Sequence, residues 1–113
     1  MSRDAGLLLD MHKAATLAVE FRGELDKVGF LRDRKTQSSV IDQLLILGEC
    51  SKRISEKFRL AHPEIPWRGI AGMRDKLIHD YTDVDLDEVW RTLTEDVPEL
   101  IRLLTPLVPL GAA

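Results

Sequence analysis

Residues 36–60 read Thr-Gln-Ser-Ser-Val-Ile-Asp-Gln-Leu-Leu-Ile-Leu-Gly-Glu-Cys-Ser-Lys-Arg-Ile-Ser-Glu-Lys-Phe-Arg-Leu. Within them Val40, Ile41, Leu44, Leu47, Gly48, Ser51, Ile54 and Phe58 recur at three- and four-residue spacing, which holds one apolar face through about five helical turns. A strand alternates with period two, and no stretch of the chain does so convincingly. The spacing predicts one long helix from Thr36 or Ser38 to Leu60. Gly48 lies on its apolar face, where a second helix can approach closely, and Glu49 and Lys52 or Arg53 flank that face.

The same periodicity extends outward in both directions. Leu8, Met11, Ala15, Ala18 and Phe21 or Arg22 form a stripe that predicts a first helix over residues 4–27, with Gly29 as its exit and Gly23 tolerated at some cost. Downstream, the turn His62-Pro63-Glu64-Ile65-Pro66 stops the second helix, because proline lacks an N–H and biases the residue before it away from helical angles. A shorter helix begins around Trp67 and continues through Ile70, Met73, Leu77 and Ile78; Thr82 and Asp83 break it. Asp85 then caps a fourth helix over residues 86–94, and Asp96 a fifth over residues 97–104, with Pro98 acceptable in a first turn. The expectation is an all-α, antiparallel bundle of four to five helices in one domain, residues 1–105. The tail, 106–113, is either loose or docks its leucines on a neighbour. A small bundle with one flat apolar helix pair is expected to bury part of it in a homodimer.

A chain of 113 residues closes a single core without disulfides or metal staples. The lone Cys50 has no partner for a bridge and no Cys or His at ligand spacing, so it reads as buried packing in a reducing cytoplasm, with no metal and no cofactor expected. The apolar run Leu7 to Leu9 is cut off by Asp10, which argues against a secretory leader, and no apolar run approaches the 18 or so residues of a membrane span. A soluble, cytoplasmic protein without membrane contact is expected.

The formal charge of −3 argues against a duplex binder that relies on a basic surface. The average hides a split. Residues 51–79 carry seven Lys and Arg against three Asp and Glu, net +4, whereas residues 80–99 carry eight acids against Arg91 alone, net −7. The first region suits a phosphodiester; the second repels one or faces a basic partner, or is simply a solvated helix surface.

Residues 74–81, Arg-Asp-Lys-Leu-Ile-His-Asp-Tyr, concentrate the chemistry. The guanidinium of Arg74 offers a rigid fork of donors to phosphate, and histidine, here His79, is the side chain suited to proton transfer near neutrality. Asp75 stands four residues before His79, so on a helix it is placed to orient the ring. Arg74 and His79, however, are about 140° apart around an ideal helix. Three arrangements bring them together: a helix that ends near Ile78, an arginine that bends round, or a second copy of the chain that completes the site. The third, helped by the first, is favoured.

The run from Pro63 through Ile65-Pro66-Trp67, Met73-Arg74-Asp75 and His79-Asp80-Tyr81 resembles the HepT-like family of the HEPN superfamily, as do residues 47–55, 84–90 and 94–98, so that the likeness covers about residues 36–104. That resemblance implies a helical bundle pairing as a homodimer, with the two Arg-to-His segments lining one cleft. It implies a metal-independent endoribonuclease acting on RNA, the toxin of a toxin–antitoxin pair. The implied partner is an MntA-type nucleotidyltransferase antitoxin that adds AMP to the motif tyrosine, which is Tyr81 here.

RNA cleavage of this kind uses the substrate 2′-hydroxyl as nucleophile. His79 then serves as general acid or base, Arg74 holds the phosphate and its developing charge, and Asp75 orients either partner. Tyr81 hydrogen-bonds the phosphate until an AMP ester blocks the cleft, and Lys76, Arg68 and Lys52 contact the RNA backbone away from the scissile bond. A reading from another class stands beside this one: a noncatalytic HEPN-type module that binds a nucleotide or the nucleotidyltransferase, using the same segment as a docking surface.

Overall fold

The computed structural model describes residues 2–109, and every regular element among them is helical. α1 spans Arg3–Arg22, α2 Lys27–Arg32, α3 Arg34–Arg53, α4 Glu56–Ala61, α5 Trp67–His79, α6 Leu86–Arg91 and α7 Val97–Leu104. A π turn, Thr92–Asp96, joins α6 to α7, and a 3₁₀ turn, Thr105–Leu107, follows α7. No helix among the described residues is long and apolar enough to cross a membrane.

The long apolar stripe of residues 36–60 does become the centre of the bundle. α3 packs along α1 on one side and carries α5 on another, while α7 closes on α1. Leu8, Met11, Ala15 and Ala18 of α1 are buried with Val40, Leu44 and Leu47 of α3 and with Val97, Leu100 and Leu104 of α7. α1 and α3 run antiparallel, because Asp4 at the start of one meets Ser55 just past the end of the other. Ser55 donates its backbone N–H to Asp4 Oδ1 at 2.9 Å and its hydroxyl to Oδ2 at 2.5 Å. Phe30 of α2 is fully buried and tilts against Trp90, ring centroids 5.4 Å apart, and the Arg22 guanidinium lies 4.8 Å from the same indole.

Helix boundaries depart from the periodicity in three places, each for a local reason. α1 ends at Arg22 rather than near residue 27, because Gly23 adopts φ +56°, a conformation that costs glycine little. Asp26 then caps a separate short helix, accepting from the Gly29 N–H at 2.8 Å, and Asp33 caps α3 through the Thr36 N–H at 3.1 Å. The second long helix breaks at Ile54, whose backbone is extended (φ −62°, ψ 140°), and Ser55 starts α4 by accepting from the Phe58 N–H at 3.2 Å. The stripe through Phe58 therefore belongs to two helices.

The expected cap at Asp96 does not form. Asp96 is itself helical and makes no capping bond, and the backbone runs on from α6 to α7. The reason lies in Pro98, which has no N–H for the carbonyl four residues back and would press its ring against it. A wider turn removes the conflict: the Val97 N–H reaches the Thr92 carbonyl, five residues back. After α7, Leu107 packs against the core, whereas Leu110 lies outside the described residues.

Leu44→Ala, emptying a fully buried site at the centre of α3, is expected to lower the unfolding free energy by about 2–5 kcal/mol in urea titrations. The Ser55 hydroxyl, and after it the Ser55 N–H, holds the Asp4 carboxyl below its ordinary range. Its folded pKa is therefore lower than its unfolded one, so its contribution is full above the unfolded value and disappears as pH falls through the folded value. The stability gap between the native chain and Asp4→Asn should be constant above about pH 5 and shrink in acid.

Candidate active site

Arg74 lies at the point where α5 comes closest to α3. A Cβ on Gly48 would stand 2.2 Å from Arg74 Cβ and 2.7 Å from its Cγ, so only glycine lets the two helices meet here. The guanidinium then enters a cluster of four charges. Its Nη2 pairs with Glu49 Oε2 at 2.9 Å, and its Nη1 donates to Asp75 Oδ1 at 3.1 Å. The same Asp75 oxygen accepts from Lys52 Nζ at 2.9 Å. Hydrogen bonds from Lys52 first, and then from Arg74, hold the Asp75 carboxyl below the usual range. Asp75 is thus a fixed anion at neutral pH.

The Arg74 side chain is 25 % exposed, and its stem is packed against Gly48. Its Nε makes no hydrogen bond and no ion pair among the described residues. An arginine held in this way presents a stationary cation to an incoming phosphate oxygen.

His79 is the last residue of α5, and its ring is exposed and without a hydrogen-bond partner among the described residues. The helix therefore ends one position past Ile78. Tyr81 lies two residues on, 71 % exposed, with its N–H directed to the Ile78 carbonyl at 3.4 Å. Five residues separate Arg74 from His79, which is about 7.5 Å along the axis and about 140° around it. A single chain does not converge the two side chains on one atom. Asp75 lies on Arg74 and Lys52, and no hydrogen bond joins it to His79.

The three cations expected to contact RNA are dispersed. Lys52 belongs to the Arg74 cluster. Arg68 is exposed on the first turn of α5, beside a shallow hollow formed with Glu56, Arg59 and Trp67. Lys76 lies on the far flank of α5, at a groove of about 570 Å³ between α5 and the α6–α7 segment. Leu44, Leu47, Met73, Leu77 and Leu100 line the groove, and Asp80, Asp85, Glu88, Glu95, Asp96 and Glu99 crowd its rim. Among the described residues no group of His, Cys, Asp and Glu side chains is arranged to hold a metal ion. Cys50 is buried, and that burial pushes its thiol up, so it offers no nucleophile to the site.

Glu49 is the residue that periodicity did not single out for chemistry. The available signal was its position: a carboxylate immediately after the glycine that admits the second helix.

An all-helical bundle that exposes an Arg-x₄-His-x-Tyr segment at the end of one helix defines a class, and comparison with known proteins identifies it. The chain belongs to the ribonuclease HepT-like family, whose pattern matches residues 11–107. It is 50 % identical over 93 residues to a Thermococcus cleftensis protein named "Probable ribonuclease HepT", covering 82 % of this chain and 84 % of that one. It is 34 % identical over 90 residues to "Putative RNase MJ0127" of Methanocaldococcus jannaschii, covering 80 % and 74 % respectively. No solved structure matches the chain.

The contact at Gly48 makes a sharp prediction. Gly48→Ala gains about 1 kcal/mol of helix propensity but forces a methyl group into the Arg74 stem, and overpacking of this kind costs about 1–3 kcal/mol. With the clash falling on Cβ rather than on a flexible end, a net loss is expected. Thermal unfolding should show a lower midpoint for Gly48→Ala than for the native chain.

Proposed function

We propose that this protein is a metal-independent endoribonuclease, the toxin of a toxin–antitoxin pair, working in the cytoplasm as a homodimer. The observation that carries the reading is the fixed guanidinium of Arg74 on the same helix whose end presents His79 and Tyr81 unencumbered. Membership of the HepT-like family supports it. In the dimer, the Arg74 of one subunit meets the His79 of the other across a shared cleft, which answers the separation of the two side chains within one chain.

The reaction needs only the substrate and these groups. The 2′-hydroxyl loses its proton to a neutral His79 and attacks the adjacent phosphorus; the P–O5′ bond breaks; the departing 5′-oxygen takes a proton from the protonated His79 of the pair. The products are a 2′,3′-cyclic phosphate and a 5′-hydroxyl. Arg74 neutralises the charge that gathers on the equatorial oxygens, where a preplaced donor is worth about 100- to 1000-fold, and a positioned histidine contributes about 100- to 10,000-fold. Asp75 keeps Arg74 and Lys52 in place. Lys52, Arg68 and Lys76 meet flanking phosphates.

Tyr81 is the regulatory residue of this proposal. Its exposed phenol accepts AMP from a nucleotidyltransferase antitoxin of the MntA type: the phenolic oxygen forms a phosphodiester with the α-phosphate of a nucleoside triphosphate, and pyrophosphate leaves. The ester places a negative charge and a nucleoside beside His79, which excludes RNA by repulsion and by occupancy.

One observation favours the second reading, a noncatalytic HEPN-type module that binds a nucleotide or the nucleotidyltransferase. Arg74 and Lys52 are balanced by Glu49 and Asp75, so the cluster adds no net positive charge to attract RNA. The two readings part on cleavage. Metal-free protein, shown by intact mass to be unmodified at Tyr81, is incubated with end-labelled RNA beside Arg74→Ala and His79→Ala, and the product ends are read by mass spectrometry. The proposal expects cyclic phosphate ends from the native chain and a loss of at least about 100-fold in each variant. No cleavage by the unmodified native chain would leave the binding module as the reading.

A further inference from the structure

Glu49 takes no part in the proposed cleavage chemistry, yet its carboxylate lies 2.9 Å from Arg74 Nη2. Ordinary surface ion pairs contribute little, and on exposure alone Glu49 is one of them. Its setting differs. Gly48 gives the Arg74 stem its seat on α3, and the next residue along, Glu49, receives the head. Consecutive residues of the central helix thus grip one arginine at root and tip. Asp75 supplies a second contact, but it sits on the arginine's own helix and is shared with Lys52. It rides on α5 with the arginine, and its own tie to α3 runs through the long, flexible Lys52 side chain, so it references the guanidinium to the bundle only at second hand. Glu49 belongs to α3, whose flanking Leu47, Cys50 and Ser51 are buried, so it refers the guanidinium to the rigid core.

We propose that Glu49 is a positioning residue of the site: it aims the Arg74 guanidinium at the scissile phosphate. The proposal rests on the ribonuclease reading for the word scissile, but the aiming of Arg74 at a phosphate stands without it. Without Glu49 the head falls back on Asp75, stays charged and swings out of line. Misplacement by about 1 Å is enough to cost on the order of 100-fold in rate.

The test is a double-mutant cycle with two readouts. Glu49→Ala and Arg74→Lys, which keeps a cation but has no fork, are made singly and together. kcat/KM on labelled RNA is compared with the affinity, by fluorescence anisotropy, for a 2′-O-methyl oligoribonucleotide that cannot be cut. With Arg74 in place, Glu49→Ala is expected to lower kcat/KM about 10- to 100-fold; added to Arg74→Lys, the same change should cost under about 3-fold more, because residues acting through one another are not additive. The oligonucleotide affinities should show the same coupling. Equal losses in both backgrounds overturn the proposal, as does a pH–rate profile that loses a limb in Glu49→Gln, which would make Glu49 a proton-transfer group. If the native chain cuts no RNA while the binding cycle is coupled, the ribonuclease reading fails and the positioning role holds. If the binding cycle is additive, the positioning role fails whether or not RNA is cut.

Discussion

The close approach of α5 to α3 at Gly48 is the constraint on which the rest of the structure depends. With the Arg74 stem seated against the glycine, the neighbouring apolar residues on both helices reach one another, and Ile70 and Leu77 are buried together with Leu44 and Leu47. The same distance decides the electrostatics. Glu49, Lys52, Arg74 and Asp75 form one network only because the backbones that carry them are nearly in contact. Packing and site are here a single geometric fact. Burial along the seam stabilises the helix pair, and the residue at its tightest point carries the charge.

The acidic stretch after the site is partly consumed by structure. Asp85 caps α6 by accepting from the Glu88 N–H at 3.2 Å. Glu88 on the same helix and Asp96 at the far end of the π turn both hold Arg91, and these anions push its guanidinium further up, Glu88 most strongly. Glu99 is paired with Arg102. The net charge of the segment is therefore a poor guide to its field. Asp80 and Glu95, which have no such partners among the described residues, give the groove beside α5 its negative rim.

Much of the bundle was legible from the spacing of apolar residues, because burial on one side of a helix is a pattern that sequence records directly. The stripe of Leu8, Met11, Ala15 and Ala18 is buried as read, as is that of Val40, Leu44, Leu47 and Ser51. Helix ends were less legible, since several residues competed for each one. Gly23 overrode Gly29, Ser55 intercepted a stripe that periodicity carried to Phe58, and Pro98 was relieved by a π turn that five residues of pattern do not distinguish from an α-helix. For the site, residue chemistry singled out Arg74, His79 and Tyr81. The direction of the Asp75 carboxylate and the presence of Glu49 depend on how two helices are registered against each other, which no spacing within one helix encodes.

α5 is supported unevenly. It leans on α3 along one flank, and its other flank borders the apolar groove rather than a packed helix. An element with one packed side separates from the body at less free energy than the whole fold requires, so among the long helices α5 is the natural unit of partial opening. Because Arg74, Asp75 and His79 all ride on α5 while Glu49 and Lys52 belong to α3, each such excursion parts Arg74 from Glu49 and Asp75 from Lys52 and moves the histidine with them. The fraction of molecules with this network intact is then an equilibrium quantity, and filling the void beside α5 would raise it without touching any of the four charges.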